Sequence, residues 1–368
     1  MTRSATEWVE SLSPWPLDGF GTERMRALLA ALGDPQLSYP AIHVVGTNGK
    51  STTTRMTEAL LADAGLRVGA YLSPHVRGWA ERIRVGGEEA DFERAVERIR
   101  PHAESATQFE VVTAAALAAF ADAHVEVAVV EAGLGGRHDA TNVLQTRVVV
   151  VTNVALDHMD VLGDTREAIA EEKLAVVQPG CTVVLGQQEW EERARDNGAR
   201  DVVVAGSSNL ALATAAAEAF LGADVDPHAA QDVALPGRLE TRGEHPLEIW
   251  DGAHNLAGVG YLLPRLPSRE YVVVASILED KRPELMLEAL SVLGRTLVAT
   301  QSGNSRALPA GDLASRAKPY FQHVEPNPDP SEARSRALEL AGPQGAVVVT
   351  GSLYLLAELS GGGTDPYS

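Results

Sequence analysis

Apolar residues recur along this chain in two spacings. Short runs of mostly β-branched residues at 125–130 and 148–151 are apolar on both faces, as are strands in the middle of a parallel sheet covered by helices. The run at 41–45 reads as a strand, and so does 67–71. Between them, residues 51–64 place Met56, Leu60 and Leu61 on one side of a helix. Residues 110–124 are Ala-rich and helical, and 209–221 form a further helix. Thr165 opens a helix over 165–177, with Glu167 in its first turn.

The pattern changes at Leu235-Pro236-Gly237-Arg238-Leu239-Glu240. Four more short apolar strands follow, at 247–250, 271–276, 296–300 and 346–350, with helical segments between them. Strand–helix alternation of this kind predicts an α/β fold of two parts. We expect a phosphate-loop domain with a mostly parallel sheet over 1–235 and a smaller Rossmann-like α/β domain over 236–368. The segment 326–330 reads as a Pro-rich loop, and the Gly-rich tail at 361–368 as frayed.

A length of 368 residues supports about two domains, and 45% hydrophobic with 22% charged residues is ordinary for a globular chain. The net charge of −19 opposes binding to nucleic acid or to an anionic membrane. A phosphate or carboxylate ligand must therefore be held by a local cluster of donors. Cys181 is the one cysteine, so no intrachain disulfide forms, which suits a reducing compartment. With no apolar signal core near the start and no run long enough to span a bilayer, the expectation is a cytoplasmic protein.

Gly46-Thr47-Asn48-Gly49-Lys50-Ser51-Thr52 lies between a strand and a helix. The glycines let backbone N–H groups approach phosphate oxygens, and the helix that follows directs its positive end at the anion. Lys50 would neutralise the β and γ phosphates of a nucleotide, and the hydroxyl of Ser51 or Thr52 would reach Mg²⁺. Val44 stands where a general P-loop has a small residue, so this loop is shorter than most.

Glu131 ends the strand before Ala132-Gly133-Leu134-Gly135-Gly136-Arg137-His138-Asp139-Ala140-Thr141-Asn142. A carboxylate at that end of a central strand faces the ligand crevice and suits magnesium, which prefers hard oxygen donors. Asp157-His158 follows the next strand; His158 reads either as a structural hydrogen-bonding residue or as part of that crevice. Lys173, beside Glu171 and Glu172, reads by periodicity as a solvated helix salt bridge. Asp251-Gly252-Ala253-His254-Asn255 is a strand-end turn in the second domain, and Arg238 by itself reads as a surface arginine.

Taken in order, several motifs resemble the folylpolyglutamate and dihydrofolate synthases of the Mur ligase superfamily. They are Gly21-Thr22-Glu23-Arg24-Met25, the phosphate loop, Ser73-Pro74-His75, Glu81-Arg82-Ile83, the 131–142 stretch, Asp157-His158, Glu172-Lys173, Pro236 to Glu240, Asp251 to Asn255 and Thr350-Gly351-Ser352-Leu353. The resemblance spans about residues 21–356. It implies that Gly46, Thr47, Asn48, Gly49, Lys50, Ser51 and Thr52 bind ATP, with Arg238, Asp251 and His254 reaching it or the glutamate from the second domain. It implies two Mg²⁺ ions, one held by Thr52 and Glu131 and the other by Ser73, Glu131 and His158. Lys173 matches a lysine that the family carbamylates, and Ser73, Pro74, His75 and Arg82 would border the folate. Lys50, Glu131, His158 and Lys173 would carry the chemistry. The chain departs from the family at Ser51-Thr52, where Gly-Ser is usual, at Leu174-Ala175-Val176, where Ala-Gly-Ile is usual, and at Leu256, where proline is usual.

The implied reaction is ATP-dependent addition of L-glutamate to dihydropteroate, a reduced folate, or both, by a monomer. Arg77, Arg82 and Arg137 are candidates for a basic patch that holds the anionic folate against the acidic surface. Another Mur-type ligase acting on a peptidoglycan precursor is the nearest alternative. A nucleotide-binding regulatory module without ligase turnover is another.

Overall fold

The structure, a computed structural model, describes residues 3–16 and 19–361. The tail from 362 onward, expected to fray, lies outside the described residues. The chain divides into two compact units, residues 1–74 with 79–233, and residues 75–78 with 234–368.

The first unit is built on eight strands: β1 (Ala41–Val45), β2 (Val68–Tyr71), β3 (Ile83–Val85), β4 (Glu88–Glu89), β5 (Val127–Glu131), β6 (Thr146–Val151), β7 (Thr182–Leu185) and β8 (Asp201–Val204). Their order is β4-β3-β2-β5-β1-β6-β7-β8. All neighbours are parallel except the β2–β3 and β3–β4 pairs at one edge. Every residue of β1, β2 and β5 is buried, which is why these segments read as continuous apolar runs. Ile42, Val44, Val129 and Val150 pack under the helices Lys50–Asp63 and Asn209–Leu221. Ala41, Ala128 and Val130 face the helix Gln108–Asp122. That helix begins with a capping box: the Thr107 hydroxyl accepts from the Glu110 N–H, and the Glu110 carboxylate accepts from the Thr107 N–H.

The second unit holds β9 (Glu240–Glu244), β10 (Leu247–Trp250), β11 (Val272–Ala275), β12 (Thr296–Ala299), β13 (His323–Pro326) and β14 (Ala346–Thr350), ordered β13-β12-β11-β14-β10-β9. Only β9 runs antiparallel. Val76 is buried in this unit's core with Trp250, Val274, Leu353 and Leu356.

The predicted two-part α/β architecture with a mostly parallel first sheet is observed. The loop expected at 326–330 is observed at 327–329, with Pro326 ending β13 and Pro330 starting the helix Pro330–Ala341. Proline at a first helical position loses no needed hydrogen bond, and Asp329 caps the turn by accepting from Glu332 N–H. β7, β8, β9, β13 and the β3–β4 hairpin were not expected from the pattern. β4, β8 and β9 are exposed edge strands and β3 lies beside β4; β3, β4 and β9 carry no continuous apolar run, whereas β8 keeps Val202, Val203 and Val204 on an exposed edge. Among the described residues, no helix is long and apolar enough to cross a membrane.

Candidate active site

Four parallel strands of the first unit, β2, β5, β1 and β6, end side by side. Ser73 follows β2, Glu131 closes β5, Gly46–Lys50 follows β1, and Thr152–His158 follows β6. Ligands of open α/β sheets bind outside such carboxyl ends.

The phosphate loop takes its shape from the end of β6. Thr47 N–H donates to Asn153 O at 2.9 Å and Asn48 N–H to Asn153 Oδ1 at 3.1 Å. In return Asn153 Nδ2 and Thr152 Oγ1 donate to Asn48 O at 2.9 and 2.7 Å. Gly49 then turns the chain with φ of 82° into the helix, a conformation that only glycine adopts cheaply. Gly49, at the N-cap, has no side chain to cap that helix, whose first turn begins at the loop as in an anion site.

Glu131 is 1% exposed and joins three elements. One oxygen accepts from Ser51 Oγ at 3.0 Å, and the other accepts from Ser73 N–H at 3.1 Å. The phosphate loop and the Ser-Pro-His element thus meet on a single carboxylate. Thr52, which the resemblance paired with Glu131, is half-buried and makes no hydrogen bond to it; Ser51 holds that place. A carboxylate and a hydroxyl this close are hard oxygen donors that fit Mg²⁺. No trio of His, Cys, Asp and Glu side chains gathers to cage a metal among the described residues. An ion here would complete its shell with hydroxyl, phosphate and water oxygens, as magnesium commonly does.

Lys173 corrects the reading of a solvated helix salt bridge. Arg137 pairs with Glu172 at 2.9 Å and Arg193 with Glu171 at 3.4 Å, whereas Lys173 is 3% exposed. Its Nζ donates to Gly46 O, in the phosphate loop, at 2.9 Å. Burial, and then the charge of Lys50, lower its pKa to about 7. Lys50 itself donates to Thr47 O at 3.3 Å. His158 takes the left-handed conformation (φ 49°) at the start of a one-turn helix, with its ring partly exposed and its Nε2 4.0 Å from Asp157 Oδ2.

The 131–142 loop folds around Asp139. Its carboxylate accepts from Leu134 N–H at 2.7 Å, from Thr141 N–H at 2.9 Å and from the Thr141 hydroxyl. Burial raises its pKa, and these donors counter that shift. His43, on β1, lies 2.8 Å from Thr141 Oγ1 through Nε2, and burial lowers its pKa to about 3.

In the second unit, Asp251 follows β10 and spends both oxygens on backbone. Leu239 N–H and Ala253 N–H each donate to it at 2.9 Å. This shapes the turn that presents Arg238, whose Nη1 donates to Gly237 O, and the turn that presents His254, whose Nδ1 lies 2.9 Å from Gly252 O. Burial raises the Asp251 pKa. The exposed Arg77 lies 3.4 Å from Glu240 in the same unit.

Of the folate-side candidates, Ser73 and Pro74 share a cis peptide bond, and His75 is buried. Arg82 is fully buried, with its guanidinium 4.6 Å above the Trp79 ring. With Arg137 committed to Glu172, these two arginines do not make the open basic patch that was expected. Sequence reasoning missed Asn209, whose Oδ1 lies 2.5 Å from where a Cβ on Gly49 would stand. It also missed Phe109, whose ring lies 2.5 Å from the corresponding point on Gly133. Nothing local marks either residue, since each is brought to the loops by the packing of its helix.

Two family models cover most of the chain: the Mur ligase middle domain matches residues 44–234, and the Mur ligase glutamate ligase domain matches 237–353. A Mycobacterium tuberculosis dihydrofolate synthase/folylpolyglutamate synthase is 33% identical over 377 residues, covering 81% of this chain and 77% of that protein. The structure of M. tuberculosis folylpolyglutamate synthase complexed with ADP superposes with a TM-score of 0.87 at 30% identity, over 98% of each chain. A bifunctional folylpolyglutamate synthase/dihydrofolate synthase with Mn, AMPPNP and L-glutamate bound gives a TM-score of 0.85 at 31% identity, again over 98% of each.

Proposed function

The chain belongs to the dihydrofolate synthase/folylpolyglutamate synthase family of Mur ligases, and from this we propose how its residues join L-glutamate to a pterin-bearing carboxylate. It is an ATP-dependent carboxylate–amine ligase. The carboxylate of dihydropteroate or of a reduced folate attacks the γ-phosphorus of ATP. The bond from that phosphorus to the β–γ bridging oxygen breaks, and ADP departs, leaving an acyl phosphate. The amine of L-glutamate attacks the acyl carbon to give a tetrahedral adduct. The C–O bond to phosphate then breaks, the nitrogen loses a proton, and the amide and inorganic phosphate leave.

The loop Gly46–Gly49 and the first-turn amides of the helix it leads into would receive the phosphates, and Lys50 would offset their charge. Ser51, with Thr52 beside it in the first turn, and Glu131 would hold one Mg²⁺; Ser73, Glu131 and His158 would hold the second. When bound, these ions spread the charge of the transferred group. Lys173 is read as a carbamate: its amine, with a pKa lowered to about 7, adds in its neutral form to CO₂, the N–C bond forms and a proton leaves. Arg238, Asp251 and His254 are assigned to nucleotide and glutamate binding. Ser73, Pro74, His75 and Arg82 are assigned to the folate side. The protein is proposed to act as a cytoplasmic monomer.

The observation that carries this reading is the Glu131 carboxylate, bonded at once to the phosphate loop and to the Ser-Pro-His element. The test is ADP release from Mg-ATP and L-glutamate, with dihydropteroate and tetrahydrofolate offered separately. Release should require glutamate and should fall by about 100-fold or more in Lys50→Ala. Folded protein that binds ATP but releases no ADP with either pterin would refute the assignment.

A further inference from the structure

Beneath the 131–142 loop lies a buried polar chain that the reaction above does not use. His43 is 1% exposed, Thr141 is 0% exposed and Asp139 is 6% exposed. The Thr141 hydroxyl has one proton, and it goes to Asp139 Oδ1. Toward His43, 2.8 Å away, the same oxygen can only accept. The imidazole must therefore carry its proton on Nε2. An Nδ1–H tautomer would set two lone pairs against each other, or would pull the hydroxyl proton off Asp139.

The consequence reaches the site. Asp139 closes the loop by accepting from the N–H groups of Leu134 and Thr141, and the same loop begins at Glu131. His43 lies on β1, one residue below Val44, which is the register partner of Glu131. We propose that His43 is a positioning residue: its Nε2–H fixes the Thr141 hydroxyl on Asp139, and the loop so closed holds Glu131 in register with the phosphate loop. His43 touches neither nucleotide nor metal. The proposal rests on the assignment of Glu131 to metal binding only for its effect on turnover.

Two measurements separate the layers. In the wild-type protein, ¹⁵N imidazole shifts near neutral pH should show the neutral Nε2–H tautomer at His43. An Nδ1–H tautomer or an imidazolium would overturn the proposal without any activity assay. In His43→Leu, amides of the 131–142 segment should exchange about tenfold faster, as expected when one buried hydrogen bond is lost. The half-saturating Mg²⁺ concentration should rise, while KM for L-glutamate stays within about twofold. His43→Gln, whose amide N–H reaches the same oxygen, should restore most of the exchange protection and the Mg²⁺ response. Equal loss in the Leu and Gln variants, with a uniform drop in stability, would mean that His43 only fills space. If Glu131→Gln left the Mg²⁺ response unchanged, the metal assignment would fail, and the tautomer and exchange results would still judge His43.

Discussion

Folding lowers the pKa of two buried bases, Lys173 and His43, and both make stability depend on pH in the same direction. The pKa of Lys173 falls from 10.5 to about 7 on folding, so between those values the unfolded chain binds the extra proton. Stability contributed at high pH is therefore lost as pH falls from 10.5 toward 7. Lys173→Met should flatten that part of a urea-denaturation pH series. For His43 the window runs from 6.5 down to about 3, and His43→Leu should lessen acid destabilisation there. If Lys173 is carbamylated, ¹³C-bicarbonate should give a carbamate resonance that is absent from Lys173→Arg. Absence from the wild-type protein as well would remove the modification from the mechanism. Lys50, Glu131 and the phosphate loop were legible in the sequence because loop composition and strand ends announce them. The inward turn of Lys173 was not: three adjacent charges look solvated until Arg137 and Arg193 are seen to claim the two glutamates.

Elements fail or hold through their ends. The helix Gln108–Asp122 carries Phe109 against Gly133 and starts at the Thr107 capping box. Thr107→Ala should cost about 1 kcal/mol in denaturant unfolding. Gly49→Ala is a different kind of change. Its φ of 82° disfavours a side chain, and the new Cβ would lie 2.5 Å from Asn209 Oδ1. Backbone strain of about 1–2 kcal/mol falls on the loop that holds ATP, so nucleotide affinity measured by calorimetry should drop about tenfold or more. Unchanged affinity would mean that the loop does not need this turn. The central strands and the helices at 50–63 and 209–221 could be read from periodicity because both faces, or one clear stripe, are apolar. The exposed strands β3, β4 and β9 could not, because polar residues interrupt the pattern that periodicity detects.

At the scale of the whole molecule, a net charge of −19 opposes every anionic substrate at long range. Raising ionic strength from 0.01 to 0.15 M shortens the screening length from about 30 to about 8 Å. The association rate of ATP, followed by stopped flow, should therefore rise with salt. A falling rate would show that the local donors of the phosphate loop dominate the approach as well as the bound state. The two-part organisation was legible from the change of pattern near Pro236. The allotment of residues 75–78 to the second unit was not, since it depends on contacts between residues far apart in the chain.

That allotment bears on the order in which the protein is made. Val76 fills the same core as Trp250, Val274 and Leu356, yet it leaves the ribosome long before any of them. In the folded chain the second unit's core combines late-made residues with a segment supplied near the beginning of synthesis, which can join only once the last strands are made. A fragment begun at residue 234 would lack this piece, and a nick between 233 and 234 would still leave the second unit holding a segment continuous with the first.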